Sequence, residues 1–258
     1  MTFLEELVDS TRRRIGELHE LVTPEALEQR IASVETPRGF HKALARDDVA
    51  IVAEIKRATP SKGLLRADLN AGATARAYAA GGAAAISVVT EPKHFQGTIE
   101  DFTAARGAGL PVLRKDFILD PMQVFEARAW GADAVLLIVR ILSDDDLTTL
   151  MKAARSLGID ALVEVFDEAD LERAASAGAK LIGVNHRDLD TFEVDDERTA
   201  KLAPRMPDDA VLVALSGVSN RADVEALAAA GADAVLVGEH LVTAEDPAAA
   251  VRSLRGVA

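Results

Sequence analysis

One motif recurs along the chain. "GGAAAISVVTE" begins at Gly81, "GADAVLLIV" at Gly131, "GAKLIGVN" at Gly178 and "GADAVLVGE" at Gly231. Each is a Gly-Gly or Gly-Ala step into a short apolar run, and each follows an Ala-rich amphipathic stretch. The copies recur about every fifty residues, roughly two strand–helix units apart. Other apolar runs, "PVLRKDF", "ALVEVF" and "VLVALSG", fall between them. Read in order, the pattern predicts strands near 49–56, 84–89, 111–115, 134–139, 161–165, 181–185, 211–215 and 234–237, separated by helices. Strict alternation requires parallel strands joined by right-handed crossovers. Eight such units close into a (β/α)8 TIM barrel, for which 258 residues suffice. A doubly wound open sheet is the competing α/β arrangement, but no G-x-G-x-x-G follows the first strand.

Helix signals agree with this frame. Ser143 is a cap with Asp146 at the capping-box position. Pro121 suits the first turn of a helix that ends at Gly131. Ahead of the first strand, Thr23 caps a helix with Pro24 at its first position. One or two extra helices are therefore expected there. The predicted organisation is one barrel domain over 1–258, with 1–48 as a helical extension and 49–258 as the barrel.

Composition narrows the function classes. No apolar run reaches the roughly 18 residues of a membrane span, and the N-terminus lacks a signal-peptide core. There is no Cys, hence no disulfide or thiolate chemistry. A cytoplasmic protein without membrane association is expected, with a monomer as its assembly state. A net charge of −13 repels phosphate backbones, so nucleic acid is not an expected partner. A small anionic substrate is compatible if a few bases gather at one mouth. His19, His41, His94, His186 and His240 are scattered and read as surface or loop residues, so no metal site is expected.

In such a barrel the site lies at the C-terminal ends of the strands. The first strand ends in Glu54 and Lys56, which share a face with Val52. The third ends in Lys115, on the face of Leu113, and the fifth in Glu164, on the face of Leu162. The sixth ends in Asn185. Each polar group closes an otherwise apolar inward-facing row. An ion-pair plug for the barrel is one reading, although desolvation makes such pairs poor stabilisers. A site of interacting acids and bases is the better one. Pro60, Phe95 and Phe117 follow the first three strands and could wall an aromatic ring, or simply pack. Ser216 and Gly217 follow the seventh strand, and Gly238 and Glu239 the eighth. Barrels often bind phosphate there through backbone N–H groups, and plain turns are the alternative.

Seven segments together resemble the indole-3-glycerol phosphate synthase family: "VAEIKRATPSKG", "ISVVTEPKHFQG", "PVLRKDFILDPMQVFEARAWGADAVLLI", "ALVEV", "IGVNHRDL", "LSGV" and "AVLVGEHLV". The resemblance runs from about Ile51 to Val242 and covers every predicted strand in order. The resemblance implies a carboxy-lyase of tryptophan synthesis. Such enzymes close the ring of 1-(2-carboxyphenylamino)-1-deoxyribulose 5-phosphate with loss of carbon dioxide and water, and need no cofactor or metal. It further implies Lys115 as the general acid in condensation and Glu164 in the proton transfer of dehydration. Lys56 would hold the substrate carboxylate and Glu54 would tune the lysines. Asn185 and Arg187 would position the substrate, in a pocket with Thr59, Pro60, Phe95, Phe117 and Leu215. Ser216, Gly217, Gly238 and Glu239 would bind phosphate. Three positions depart from the family: Thr59 replaces Ser, His186 replaces a second Asn at an outward and therefore minor position, and Leu215 replaces Glu. Leu215 keeps open a paralogue acting on another arylamino sugar phosphate, and a non-catalytic sugar-phosphate-binding barrel.

Overall fold

The structure, a computed structural model, describes residues 2–257. Three helices come first: α1 (Phe3–Leu21), α2 (Pro24–Ser33) and α3 (Phe40–Leu44). This is one more than the sequence led us to expect, because α3 is a five-residue turn of helix with no side-chain cap to announce it. Strand β1 (Ala50–Ile55) is followed by a short hairpin, β2 (Ala58–Thr59) and β3 (Gly63–Leu64). Seven more barrel strands succeed it: β4 (Ala85–Val89), β5 (Val112–Lys115), β6 (Ala134–Ile138), β7 (Asp160–Val165), β8 (Leu181–Asn185), β9 (Val211–Leu215) and β10 (Ala234–Val237). With β1 they form a closed parallel barrel, β10 pairing with β1. Their bounds lie within one residue of those read from the sequence.

Helices α4 (Ala71–Ala80), α5 (Ile99–Arg106), α6 (Pro121–Trp130), α7 (Asp144–Ser156) and α8 (Glu168–Ser176) cover the outside. They are followed by α9 (Arg198–Leu202), α10 (Arg221–Ala229), α11 (Glu239–Val242) and α12 (Pro247–Arg255). Cap signals resolve as local hydrogen bonds. Thr23 Oγ1 accepts the Ala26 N–H, and Asp120 caps α6, which Gly131 ends at φ 90. Ser143 caps α7, but the expected reciprocal bond is replaced. The Asp146 carboxylate takes the Ser143 hydroxyl at 2.6 Å instead of a backbone N–H.

Period-two alternation sorts each strand into two cores. Ile51, Ala53, Ile86, Val112, Val163 and Val235 face the helices. Ala50, Val52, Leu113, Leu162, Val213 and Leu236 fill the barrel interior. The extension helps close both ends. Phe40 and Leu44 of α3 join the interior core, and the His41 N–H bonds Asp160 at the start of β7. Leu4 and Leu7 of α1 join the same core, and Leu7 also lines the cavity at the strands' C-terminal ends.

Candidate active site

That cavity measures about 460 Å³. Every residue singled out from the sequence lines it except Glu164. Parity explains the gathering, since Glu54, Lys115, Asn185 and Leu215 all continue inward-facing rows. Lys56 stands one residue past β1 but keeps its alternation, and its Nζ donates to Glu54 Oε1 at 2.6 Å. Lys115 Nζ lies 3.5 Å from Glu54 Oε2. Glu54 is therefore shared between two ammonium groups at the base of the cavity.

Glu164 sits deeper, 1% exposed, behind Asn185. Asn185 Nδ2 donates to Glu164 Oε1 at 3.2 Å, while its Oδ1 accepts from Ser216 Oγ at 3.0 Å and the Arg187 N–H at 3.1 Å. These partners fix the amide's orientation. They also link Glu164 to the loop after β9.

The electrostatics separate the two carboxylates. Burial pushes the Glu54 carboxyl up, but Lys56 and Lys115 outweigh it and hold it below the ordinary glutamate value. Burial also pushes Glu164 up, and there Lys115 and Asn185 do not compensate, so its carboxyl stays above the ordinary value. Burial works against the Lys115 charge, yet Glu54 and Glu164 outweigh it and raise its pKa. The two carboxyls are thus pushed in opposite directions, Glu54 below and Glu164 above the ordinary glutamate value, while Lys115 is raised.

Phe95, Phe117 and Pro60 line the cavity and give it an apolar wall. Buried Glu91 shapes the loop carrying Phe95, accepting the N–H groups of Lys93, His94 and Phe95. The sequence did not disclose Phe3 and Leu7 from α1, or Leu189 and Phe192 from the loop after β8, which complete the wall. An amphipathic α1 was the only signal, and it does not say where the helix docks. Arg187 lines the cavity while its guanidinium donates to the Phe192 carbonyl at 2.9 Å, bracing its own loop.

The loops after β9 and β10 behave differently. Ser216 (φ 70) and Gly217 (φ 84) are successive left-handed residues along the cavity wall. Gly238 has a different reason to be glycine. A Cβ there would lie 2.4 Å from Glu54 Oε1 and 3.1 Å from Lys56 Nζ. The Glu239 carboxylate is paired with Lys62 from the loop after β1, tying the two loops together. His186, expected to be minor, is buried and bonded to Thr199. Among the described residues no group of three or more His, Cys, Asp or Glu could hold a metal ion, and no helix is long and apolar enough to cross a membrane.

Fold and strand-end charges together describe a (β/α)8 barrel that gathers carboxylates and ammonium groups beside an apolar wall at the C-terminal ends of its strands. Its chain matches the family profile described as indole-3-glycerol phosphate synthase over residues 4–254. It is 46% identical over 257 residues to the indole-3-glycerol phosphate synthase of Koribacter versatilis, covering 98% of each chain. It is 47% identical over 258 residues to the enzyme of the same name from Nocardioides sp., covering 100% of this chain and 99% of that one. In fold it is similar to 3-hexulose-6-phosphate synthase from Salmonella typhimurium, with TM-score 0.61 and 18% identity over 81% of this chain and 97% of that one. The protein belongs to the indole-3-glycerol phosphate synthase family.

Proposed function

We propose that this chain catalyses its family's reaction through the charges gathered around Glu54. The substrate, 1-(2-carboxyphenylamino)-1-deoxyribulose 5-phosphate, carries a ketone, a ring carboxylate and a phosphate. Lys56 holds the carboxylate against the ring-closing carbon. The ring carbon attacks the ketone carbon as the Lys115 ammonium gives the ketone oxygen its proton. Carbon dioxide then leaves from the now tetrahedral ring carbon, returning its electron pair to the aromatic ring. The new hydroxyl departs as water, and a proton leaves the neighbouring carbon. Glu164, with its raised pKa, takes part in that last transfer by way of the Asn185 side of the cavity. Thr59, Pro60, Phe95, Phe117, Arg187 and Leu215 surround the arylamino part. Ser216, Gly217, Gly238 and Glu239 lie at the phosphate end.

The observation that carries this reading is the pairing of Lys115 with Glu54, reinforced by the nearby charge of Glu164, which favours a proton on a cavity-facing amine. Residues 1–48 act as an extension of a barrel over 49–258, in a cytoplasmic, monomeric enzyme. The test follows indole fluorescence from purified substrate. The parent should turn over, and Lys115→Met should lose at least about a hundredfold in kcat with its fold intact. A residual rate within about tenfold of the parent would remove Lys115 from the general-acid role.

A further inference from the structure

His186 occupies the outward parity of β8, yet it is only 1% exposed. Its ring is held on two sides. Nε2 lies 2.7 Å from Oγ1 of Thr199, a fully buried residue on α9. The other edge faces the loop after β9. A Cβ built on Gly217 would lie 3.5 Å from Nδ1, so that edge of the ring lies against the main chain of the left-handed turn. The main chain of His186 joins the same corner. Its N–H donates to the Leu215 carbonyl at 3.0 Å, and its carbonyl accepts the Asp195 N–H at 2.9 Å.

This loop needs holding. Ser216 at φ 70 is a non-glycine residue in the left-handed region, immediately followed by Gly217 at φ 84. Such a conformation persists only where the surroundings over-determine it. Asn185 secures the Ser216 side chain, which leaves the peptide between 216 and 217 to be secured by something else. A buried imidazole is suited to that task, because one nitrogen can donate to a carbonyl while the other accepts from a hydroxyl. Burial pushes the ring's pKa down, against Asp195 and Asp196, which favour the proton, and together with Arg198, which opposes it. The ring is thus kept uncharged.

We propose that His186 is a positioning residue for phosphate binding, its ring wedged between Thr199 and the Ser216–Gly217 peptide so that the left-handed turn keeps its backbone along the cavity wall. The proposal rests on the reading of residues 216–217 as part of the phosphate site.

The experiment measures KM and kcat for the parent, His186→Phe, His186→Gln and Thr199→Val, with the dissociation constant of inorganic phosphate by calorimetry and melting temperatures alongside. His186→Phe keeps the volume but loses the hydrogen bond to Thr199 and the polar nitrogen that faces the turn. Its KM and its phosphate dissociation constant should rise together by about tenfold, with kcat within about twofold of the parent. His186→Gln, which can still donate and accept, should recover part of the loss, and Thr199→Val should show a smaller rise in the same direction. A His186→Phe protein that melts earlier but binds phosphate like the parent would reduce His186 to packing and overturn the proposal. If that variant does not fold, unchanged phosphate affinity in Thr199→Val overturns it instead. A parent that binds no phosphate refutes the phosphate-site reading itself, and the His186 role with it.

Discussion

Burial acts alike on Lys115 and Glu164, and their neighbours decide the outcome. Two carboxylates face Lys115 and keep it charged; one lysine and one amide face Glu164 and leave its carboxyl raised. If Glu164 must be ionised to take its proton, kcat should fall as pH drops through a value above the ordinary glutamate pKa. Glu164→Gln should abolish that limb along with most of the rate, as a kcat–pH profile will show. Lys115, raised above the ordinary lysine value, should place no alkaline limb in the neutral range. Gly238→Ala puts a methyl 2.4 Å from Glu54 Oε1, too close for both to stay in place. It should therefore cut kcat by about tenfold or more and not merely raise KM, because it displaces the Glu54–Lys56 pair. Leu215 is 1% exposed, and its Cδ1 lies 2.8 Å from where a Cβ on Gly183 would stand. It fills space that glycine leaves open, and the Glu164–Asn185–Ser216 chain is complete without a further acid. Leu215→Glu should lower stability by about 2 kcal/mol in denaturant titrations and leave kcat no higher. A tenfold gain in kcat would show instead that the site lacks a carboxylate.

Elements are joined by buried charges of another kind. Asp116, the residue after Lys115, accepts Arg14 from α1 at 2.9 Å, Arg114 from β5 at 3.1 Å and Thr90 Oγ1 at 2.9 Å. Arg114 also stacks on Trp130 and bonds Glu126. Helix α1 is thereby fastened to the strand end that presents Lys115 and Phe117. Burial pushes the Asp116 carboxyl up, but Arg114 and Arg14 outweigh it and bring it down to about 2, from 3.8. A depressed folded-state pKa gives stability that is present above the unfolded value and lost as pH falls through the folded one. About 2 kcal/mol should disappear between about pH 4 and pH 2. Arg14→Met should cost up to about 3 kcal/mol at neutral pH and shrink that acid-dependent part, since Asp116 keeps Arg114 and Thr90. Urea midpoints measured against pH check both statements. At the opposite end of the barrel the repeated Gly-Ala-Asp step has its own use. Asp133 accepts the Val112 and Arg38 N–H groups, each at 2.7 Å, and Asp233 accepts the Leu212 N–H at 2.7 Å. Asp133→Ala should destabilise by about 2 kcal/mol without touching kcat, because it strands two donors far from the chemistry.

The whole molecule carries a charge of −13, yet its cavity gathers Lys56, Lys62, Lys115 and Arg187. Three of those bases are partly offset by two carboxylates, Glu54 for Lys56 and Lys115 and Glu239 for Lys62, and for a distant anion the repulsion of the whole chain is the larger effect. Raising ionic strength from about 10 mM to about 150 mM shortens the screening length from about 30 Å to about 8 Å. We expect kcat/KM to rise by about twofold over that range, and a fall would show that local attraction dominates. At this scale the division between sequence and structure is plain. The sequence by itself determined the barrel, because alternation and a repeated glycine step are local facts that leave parallel closure as the consistent packing. It also determined which strand-end side chains face inward, since parity carries Glu54, Lys115, Asn185 and Leu215 to one mouth regardless of loop detail. Tertiary structure decided what those residues meet. The docking of α1 supplied Phe3, Leu7 and Arg14, and the approach of the loop after β1 gave Glu239 to Lys62. The seating of α9 turned His186 from an outward residue into a buried one, and Glu164 came to lie behind Asn185. The physical reason is that a side chain's face follows from its own backbone, whereas its partners depend on which distant segments bury their apolar surface together, and that is settled only when the chain closes.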